Sequence, residues 1–144
     1  MILLDTNVVS EPMRAEPSLA VVEWLDGQAV ETLYLAAVSY AELLVGVEVL
    51  PAGKRRRGIG EALGELISKL FGPRILPFDH KAARAYANLI ARARAAGHVI
   101  SVADGQIAAI AAANGFIVAT RDTAPFIAAG MPVIDPWRAG LPKL

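Results

Sequence analysis

Five short apolar runs recur along the 144-residue chain, and each has the character of a buried strand. These runs lie at residues 2–4, 33–38, 75–78, 116–119 and 132–134. Between them, apolar side chains repeat at the three- and four-residue spacing that is typical of helices. Pro77 interrupts the third run and predicts an edge strand, because proline has no amide proton to give to a sheet ladder.

Polar and helix-breaking residues delimit the helices expected between these strands. We predict helices at about residues 17–25, 39–50, 54–70, 79–97 and 102–113. Ser39, Asp79 and Ser101 are expected to open three of them, because their side chains can accept hydrogen bonds from first-turn amides. Asn114-Gly115 is a typical helix stop.

Alternating strands and helices predict an α/β sandwich with a mostly parallel, five-stranded sheet and right-handed crossovers. The length of the chain suits one domain spanning residues 1–144. With the strand order 3-2-1-4-5, the topological switch point lies between strands one and four. Ligands of such sheets bind at the carboxyl ends of the strands beside the switch point.

Two carboxylates follow the strands that flank this switch point. Asp5 comes directly after strand one, and Asp122 lies three residues after strand four. Each also has a purely structural explanation. Asp5 would open a turn, and Asp122 would cap a short helix.

Two further acids occupy equivalent places in predicted helices. Glu42 lies three residues after Ser39, and Asp104 lies three residues after Ser101. Both pairs fit a capping box, in which the acid reaches back to the amide of the serine. The alternative is that both carboxylates turn inward toward Asp5, and this is the arrangement that we predict.

Four acids at one sheet edge would raise one another's pKa values, and a bound divalent cation would remove that repulsion. The chain has no cysteine, and His80 and His98 are isolated in the sequence. All-oxygen coordination therefore favours Mg²⁺ or Mn²⁺ over Zn²⁺. Such ions activate water for phosphodiester hydrolysis without a serine or histidine nucleophile.

Composition limits the remaining possibilities. The absence of cysteine excludes disulfides and agrees with a reducing cytoplasm, and no targeting signal or membrane segment is predicted. The formal net charge of zero excludes a global basic field for nucleic acid. Hydrophobic residues make up 55% of the chain, which indicates either an apolar surface covered by a partner or an alanine-rich core.

Five ordered sequence blocks give the chain a resemblance to PIN-domain nucleases. The blocks are DTN at 5–7, SYAEL at 39–43, ADGQIAA at 103–109, ATRD at 119–122 and VIDPW at 133–137. They span nearly the whole chain, and they are most similar to the VapC and FitB type of toxin in bacterial toxin–antitoxin pairs. The resemblance implies a PIN-like three-layer α/β/α sandwich.

The same resemblance implies a Mg²⁺- or Mn²⁺-dependent endoribonuclease that cleaves RNA. By analogy the four acids would hold the metal, with Asp122 in the position that varies most among relatives. Thr6 and Thr120 would orient a water, an acid or the phosphate. The implied partners are a small cognate antitoxin, a second copy of the chain, and operator DNA bound through the antitoxin.

Basic residues offer candidate RNA contacts. The only dense basic run is Lys54, Arg55, Arg56 and Arg57, which is either a solvated helix end or a phosphate-binding rim beside the acids. Arg121 lies next to Asp122. It would meet substrate phosphate or pair with a carboxylate.

Two other functions fit part of the pattern. A phosphoacceptor receiver domain also gathers acids at strand ends, but it needs a lysine after its last strand, where this chain has only Lys143. A non-catalytic PIN-like module that binds nucleic acid or protein could retain a metal site. The intact set of four acids favours the nuclease over this module.

Overall fold

The computed structural model describes residues 1–139, so Lys143 lies outside the described residues. Its sheet has five strands: β1 (Ile2–Leu4), β2 (Leu33–Ala36), β3 (Ile75–Leu76), β4 (Ile117–Ala119) and β5 (Val133–Ile134). Their order is β3-β2-β1-β4-β5, and every pairing is parallel. The predicted α/β class and strand order are confirmed, and β3 lies at an edge as its proline indicates.

Seven α-helices are present in the described part of the chain. They are α1 (Thr6–Ser10), α2 (Leu19–Asp26), α3 (Ala37–Glu48), α4 (Lys54–Leu70), α5 (His80–Ala95), α6 (Val102–Asn114) and α7 (Thr123–Ala128). Short 3₁₀ helices at Glu11–Met13 and Val30–Thr32 complete the regular structure. None of these helices is both long and apolar enough to cross a membrane.

The sheet lies between two apolar clusters, which makes the fold a three-layer sandwich. Consecutive strand residues point to opposite faces of a sheet. Leu3 accordingly packs with α5, α6 and α7, in the cluster that contains Ile107 and Phe126. Its neighbour Leu4 packs with α1, α2 and α4, in the cluster that contains Ile67.

The boundary between β2 and α3 differs from the prediction in a way that matters for the site. The strand ends at Ala36, and the helix begins at Ala37 rather than Ser39. Ser39 therefore lies inside the first turn, fully buried, and it does not cap the helix. The apolar run of residues 33–38 concealed the boundary, since a short apolar run fits a strand and a buried helix equally well.

The other two predicted N-caps, Asp79 and Ser101, are correct. The carboxylate of Asp79 accepts a 2.9 Å hydrogen bond from the amide of Ala82. The hydroxyl of Ser101 accepts a 3.2 Å bond from the amide of Asp104. Gly115 ends α6 with φ 71°, a left-handed conformation that glycine adopts without steric cost.

Candidate active site

Asp5 occupies the centre of the site, at the carboxyl end of the middle strand. Its amide donates a 2.9 Å hydrogen bond to the carbonyl of Ala119, which ties it to the end of β4. Oδ1 accepts a 2.8 Å bond from the amide of Thr6, and Oδ2 accepts a 2.8 Å bond from the hydroxyl of Thr120. Both carboxylate oxygens are thus fixed in a side chain that is only 7% exposed.

The electrostatic surroundings of Asp5 show which acids approach it. Burial raises the pKa of Asp5 above its ordinary value, because desolvation disfavours the charged form. Hydrogen bonds from Thr120 and Thr6 oppose this rise in pKa, while the charges of Asp104 and Glu42 add to it. Glu42 and Asp104 therefore both lie within electrostatic reach of Asp5.

Glu42 reaches the site through Thr6. The hydroxyl of Thr6 donates a 3.2 Å hydrogen bond to Oε2 of Glu42, while the amide of the same threonine holds Asp5. Because α3 begins at Ala37, Glu42 lies beyond the first turn and has no capping role. The capping-box explanation for Ser39 and Glu42 is therefore wrong.

Asp104 combines a structural and an electrostatic role. Its amide donates to the N-cap hydroxyl of Ser101, which is one half of the predicted capping box. Its half-buried side chain lines a cavity of about 360 Å³ together with His98, Ala124 and Ala128. Asp104 thus projects from the first turn of α6 into the space beside α7.

Asp122 stands at the rim of this arrangement. Its amide donates a 3.1 Å hydrogen bond to the hydroxyl of Thr120, so this hydroxyl bridges Asp122 and Asp5. Asp122 itself is exposed and precedes α7 without a side-chain capping bond. Its charge is not among those that shift the pKa of Asp5.

The donor chemistry of the site suits a hard divalent cation, although the carboxylates stand apart. Within residues 1–139, no three acidic, histidine or cysteine side chains are close enough to hold one ion. The fully buried hydroxyl of Ser39 has no hydrogen-bond partner in the part of the chain that the structure describes. Ser39 lies three residues before Glu42 and therefore on the same helix face, where a polar ligand would satisfy it. The donors present fit Mg²⁺ or Mn²⁺ in kind, since both ions prefer oxygen ligands.

The basic residues have separate locations. Lys54, Arg55 and Arg57 are exposed at the start of α4, and Arg56 forms a 2.6 Å ion pair with Glu48. Glu48 is the last residue of α3, six residues beyond Glu42. The basic run is therefore linked to the C-terminal end of α3, and Glu42 lies nearer the other end of that helix.

Arg121 lies at the edge of the sheet that carries Asp5 and Asp122, which is called the acid edge below. Its amide donates a 3.4 Å hydrogen bond to Oδ1 of Asn7, and its guanidinium carbon lies 5.1 Å from the ring centroid of Trp137. The ion pairs found among residues 1–139 do not include Arg121. Its guanidinium stacks on an aromatic ring instead of pairing with a carboxylate.

Glu11 is a buried acid within electrostatic reach of Arg121 that the sequence pattern did not reveal. It is only 4% exposed, and its Oε1 accepts a 3.0 Å hydrogen bond from the amide of Ser18. That bond lowers the pKa of Glu11, and the charges of Arg14 and Arg121 lower it further. The Glu-Pro pair after α1 was the available signal, but α1 itself was not predicted.

Comparison with known proteins identifies the family. A family model described as PIN domain matches residues 2–130. The chain belongs to the PIN-domain family. This result excludes the receiver-domain hypothesis and agrees with the resemblance seen in the sequence.

Two relatives and one solved structure have matching lengths. The VapC ribonuclease Y4jK of Sinorhizobium fredii is 56% identical over 138 residues, covering 95% of this chain and 98% of the relative. Toxin FitB of Neisseria gonorrhoeae is 48% identical over 137 residues, covering 95% and 99%. The structure of FitAB bound to an IR36 DNA fragment has a TM-score of 0.91 and 47% identity, covering 95% of this chain and 96% of that chain.

Proposed function

We propose that this PIN domain is a Mg²⁺- or Mn²⁺-dependent endoribonuclease that acts as the toxin of a toxin–antitoxin pair. The observation that carries the proposal is that Glu42 and Asp104 lie within electrostatic reach of Asp5, whose two carboxylate oxygens are already fixed by hydrogen bonds. The similarity to a VapC ribonuclease and to Toxin FitB supports the same activity.

Asp5, Glu42 and Asp104 would hold the cation, with Asp122 contributing from the rim, either directly or through water. A bound divalent ion would lower the pKa of a water and stabilise charge on the phosphodiester oxygens. The protein's own contribution is positioning. Thr120 and the amide of Thr6 keep Asp5 in one rotamer, and the Thr6 hydroxyl steadies Glu42.

Hydrolysis would add one water across a P–O bond of RNA, leaving a phosphate monoester and a free hydroxyl. Within residues 1–139, the side-chain hydrogen bonds of Asp5 include no serine or histidine that would act as a nucleophile. A set of acids that runs from buried Asp5 to exposed Asp122 instead suits activated water. Fixed carboxylates also limit the reorganisation needed when the substrate arrives.

The proposal includes a small antitoxin as partner, a homodimeric state and assembly on operator DNA through the antitoxin. Exposed apolar side chains on and after α3 support a covered surface: Leu44 is 42% exposed, Val45 58% and Val49 74%. The FitAB structure on DNA supports the same kind of assembly. Residues 1–144 would act as one nuclease domain in the cytoplasm, where RNA substrates are found.

The direct test is cleavage of a mixed RNA pool by purified protein, with and without a chelator. We expect Mg²⁺ or Mn²⁺ to be required and Asp5→Asn to reduce the rate at least a hundredfold. Asp26→Asn, at an exposed position at the end of α2, is the matched control and should leave cleavage unchanged. Equal cleavage by wild type, Asp5→Asn and chelated protein would refute the mechanism. RNA binding without any turnover would favour the non-catalytic module.

A further inference from the structure

A cleft lies beside the acid edge, and its lining combines two arginines with an aromatic ring. Its volume is about 610 Å³, within the usual size of ligand pockets. The lining residues are Arg121, Thr123, Asp135, Trp137 and Arg138. They belong to the segments that follow β4 and β5, so the cleft opens on the same sheet edge as Asp5, roughly two strand spacings or 10 Å away.

Arg121 is held in place on this side of the site. Its backbone is tied to Asn7, and its guanidinium lies over the Trp137 ring at 5.1 Å. The negative charge of buried Glu11 also acts on it. Such contacts restrict a long side chain without consuming its hydrogen-bond donors, which remain available to an anion.

Arg138 supplies a second cation. Its side chain is 82% exposed, and Nε lies 4.0 Å from Oδ2 of Asp135, a weak surface pair. The other oxygen of Asp135 accepts a 2.9 Å bond from the amide of Trp137. The lining therefore holds one carboxylate, already engaged, and two guanidinium groups, so it carries net positive charge.

We propose that this cleft binds a backbone phosphate of single-stranded RNA next to the cleaved bond. This proposal rests on the proposed function, because it assumes that RNA is the substrate and that it is cleaved at the acids. An RNA strand crossing four carboxylates needs nearby cations to offset repulsion, and a guanidinium matches the geometry of phosphate oxygens. Trp137 is a positioning residue that orients Arg121.

The first experiment measures binding of a labelled single-stranded RNA oligonucleotide in EDTA, where metal-dependent hydrolysis is prevented. The variant Arg121→Gln with Arg138→Gln should bind at least tenfold more weakly than wild type. The slope of log affinity against log salt should also fall by about 0.7 for each phosphate that the protein no longer neutralises. Both changes should occur without loss of the folded state.

A matched control comes from a second cavity. Arg84 and Arg92 of α5 line a space of about 460 Å³ formed entirely by helix residues. Arg84→Gln with Arg92→Gln removes the same charge, and it should change RNA affinity less than threefold. An equal loss of affinity in both double variants would overturn the proposal, because it would show a diffuse charge effect.

The role of Trp137 is tested by two substitutions. Trp137→Phe keeps an aromatic face under Arg121 and should retain affinity within about threefold. Trp137→Leu keeps apolar packing without that face, and it should lower both affinity and the salt slope. Equal salt slopes for the Phe and Leu variants would refute the positioning role.

The outcomes separate this proposal from the proposed function. Metal-dependent cleavage with unchanged RNA affinity in the Arg121/Arg138 variant would support the nuclease function and refute phosphate binding in the cleft. RNA binding that depends on these arginines, without metal-dependent turnover, would support the cleft and refute the nuclease. A wild-type protein that binds no RNA would overturn the cleft.

Discussion

The hydroxyl of Thr120 donates a 2.8 Å hydrogen bond to Oδ2 of Asp5, joining residues 115 positions apart in the chain. Both residues follow neighbouring parallel strands, β4 and β1, at the switch point of the sheet. The bond is buried, and the same hydroxyl accepts from the amide of Asp122. One side chain thus couples the central acid to the loop that carries the rim acid.

Thr120→Val should therefore impair RNA cleavage, although the two side chains have nearly the same size. Losing the hydroxyl removes a bond that lowers the pKa of Asp5, so this pKa rises further. Because the ionised carboxylate is the form that would hold a cation, the acid limb of the pH–rate profile should move to higher pH. Thr120→Ser, which keeps the hydroxyl, should restore the wild-type profile. Identical profiles for the Val and Ser variants would contradict this role.

Glu11 gives a prediction about stability and pH. Its pKa lies below the ordinary value of 4.5, so its contribution to stability is present above that value and is lost as the pH falls through the folded-state pKa. Glu11→Gln should lower the free energy of unfolding by about 1.5 kcal/mol at pH 7, because a charge-assisted bond to Ser18 is weakened.

Urea denaturation at several pH values would measure this effect. The difference between wild type and Glu11→Gln should shrink as the pH falls below about 4.5. Glu16→Gln, at an exposed position in the same loop, is the control and should change stability little at any pH. A pH-independent difference for Glu11→Gln would show that the charge is not the cause.

Gly105 is predicted to govern the packing that presents Asp104. A Cβ atom there would lie 2.8 Å from Cε2 of Tyr86 and 3.1 Å from Cδ1 of Ile90, both on α5. Gly105→Ala should therefore push α6 from α5 and lower the free energy of unfolding by about 1–3 kcal/mol. RNA cleavage should also fall, because Asp104 moves with the helix.

Gly64 in α4 is the matched control, since a Cβ there would meet nothing within 4 Å. Gly64→Ala should raise the free energy of unfolding by up to about 1 kcal/mol through helix propensity alone. Opposite signs for the two glycine-to-alanine changes are the expected result in urea denaturation. A stabilised Gly105→Ala variant with full activity would contradict this prediction, because it would show that the Tyr86 ring moves aside while α6 stays in place.

The strand ends were predictable from the hydrophobic pattern, and the alternation of strands with helices favoured a parallel sheet. Strand order placed Asp5 at the switch point, where it also lies in the structure. The family resemblance then agreed with this interpretation. Metal binding by the four acids and RNA contact by the basic run remain predictions.

Other features depend on tertiary packing that the pattern does not encode. The short helix α1 was missed because its few residues carry too little periodicity to separate them from a loop. The burial of Glu11 followed from that omission. Spacing in sequence also cannot give carboxylate rotamers, which is why the acids at this edge stand farther apart in the described residues than a shared ion requires.

Ser39 and Ser101 each lie three residues before an acid, yet only Ser101 caps its helix. Ser101 caps α6 through a 3.2 Å bond, whereas the buried Ser39 hydroxyl has no partner among residues 1–139. In EDTA, Ser101→Ala should lower the free energy of unfolding by about 1 kcal/mol. Ser39→Ala should instead raise it by about 1 kcal/mol, since an unsatisfied polar group and a poorer helix former are both removed.

Divalent metal should reduce the stability advantage of Ser39→Ala over wild type. If the hydroxyl serves a polar ligand on the Glu42 face, the stabilisation of the folded protein by Mg²⁺ should be smaller in Ser39→Ala than in wild type. The stabilisation by Mg²⁺ should be the same in Ser101→Ala as in wild type, because the hydrogen bond of the Ser101 cap does not depend on the ion. Thermal unfolding with graded Mg²⁺ measures both increments. Equal increments in wild type and Ser39→Ala would exclude Ser39 from the cation's surroundings.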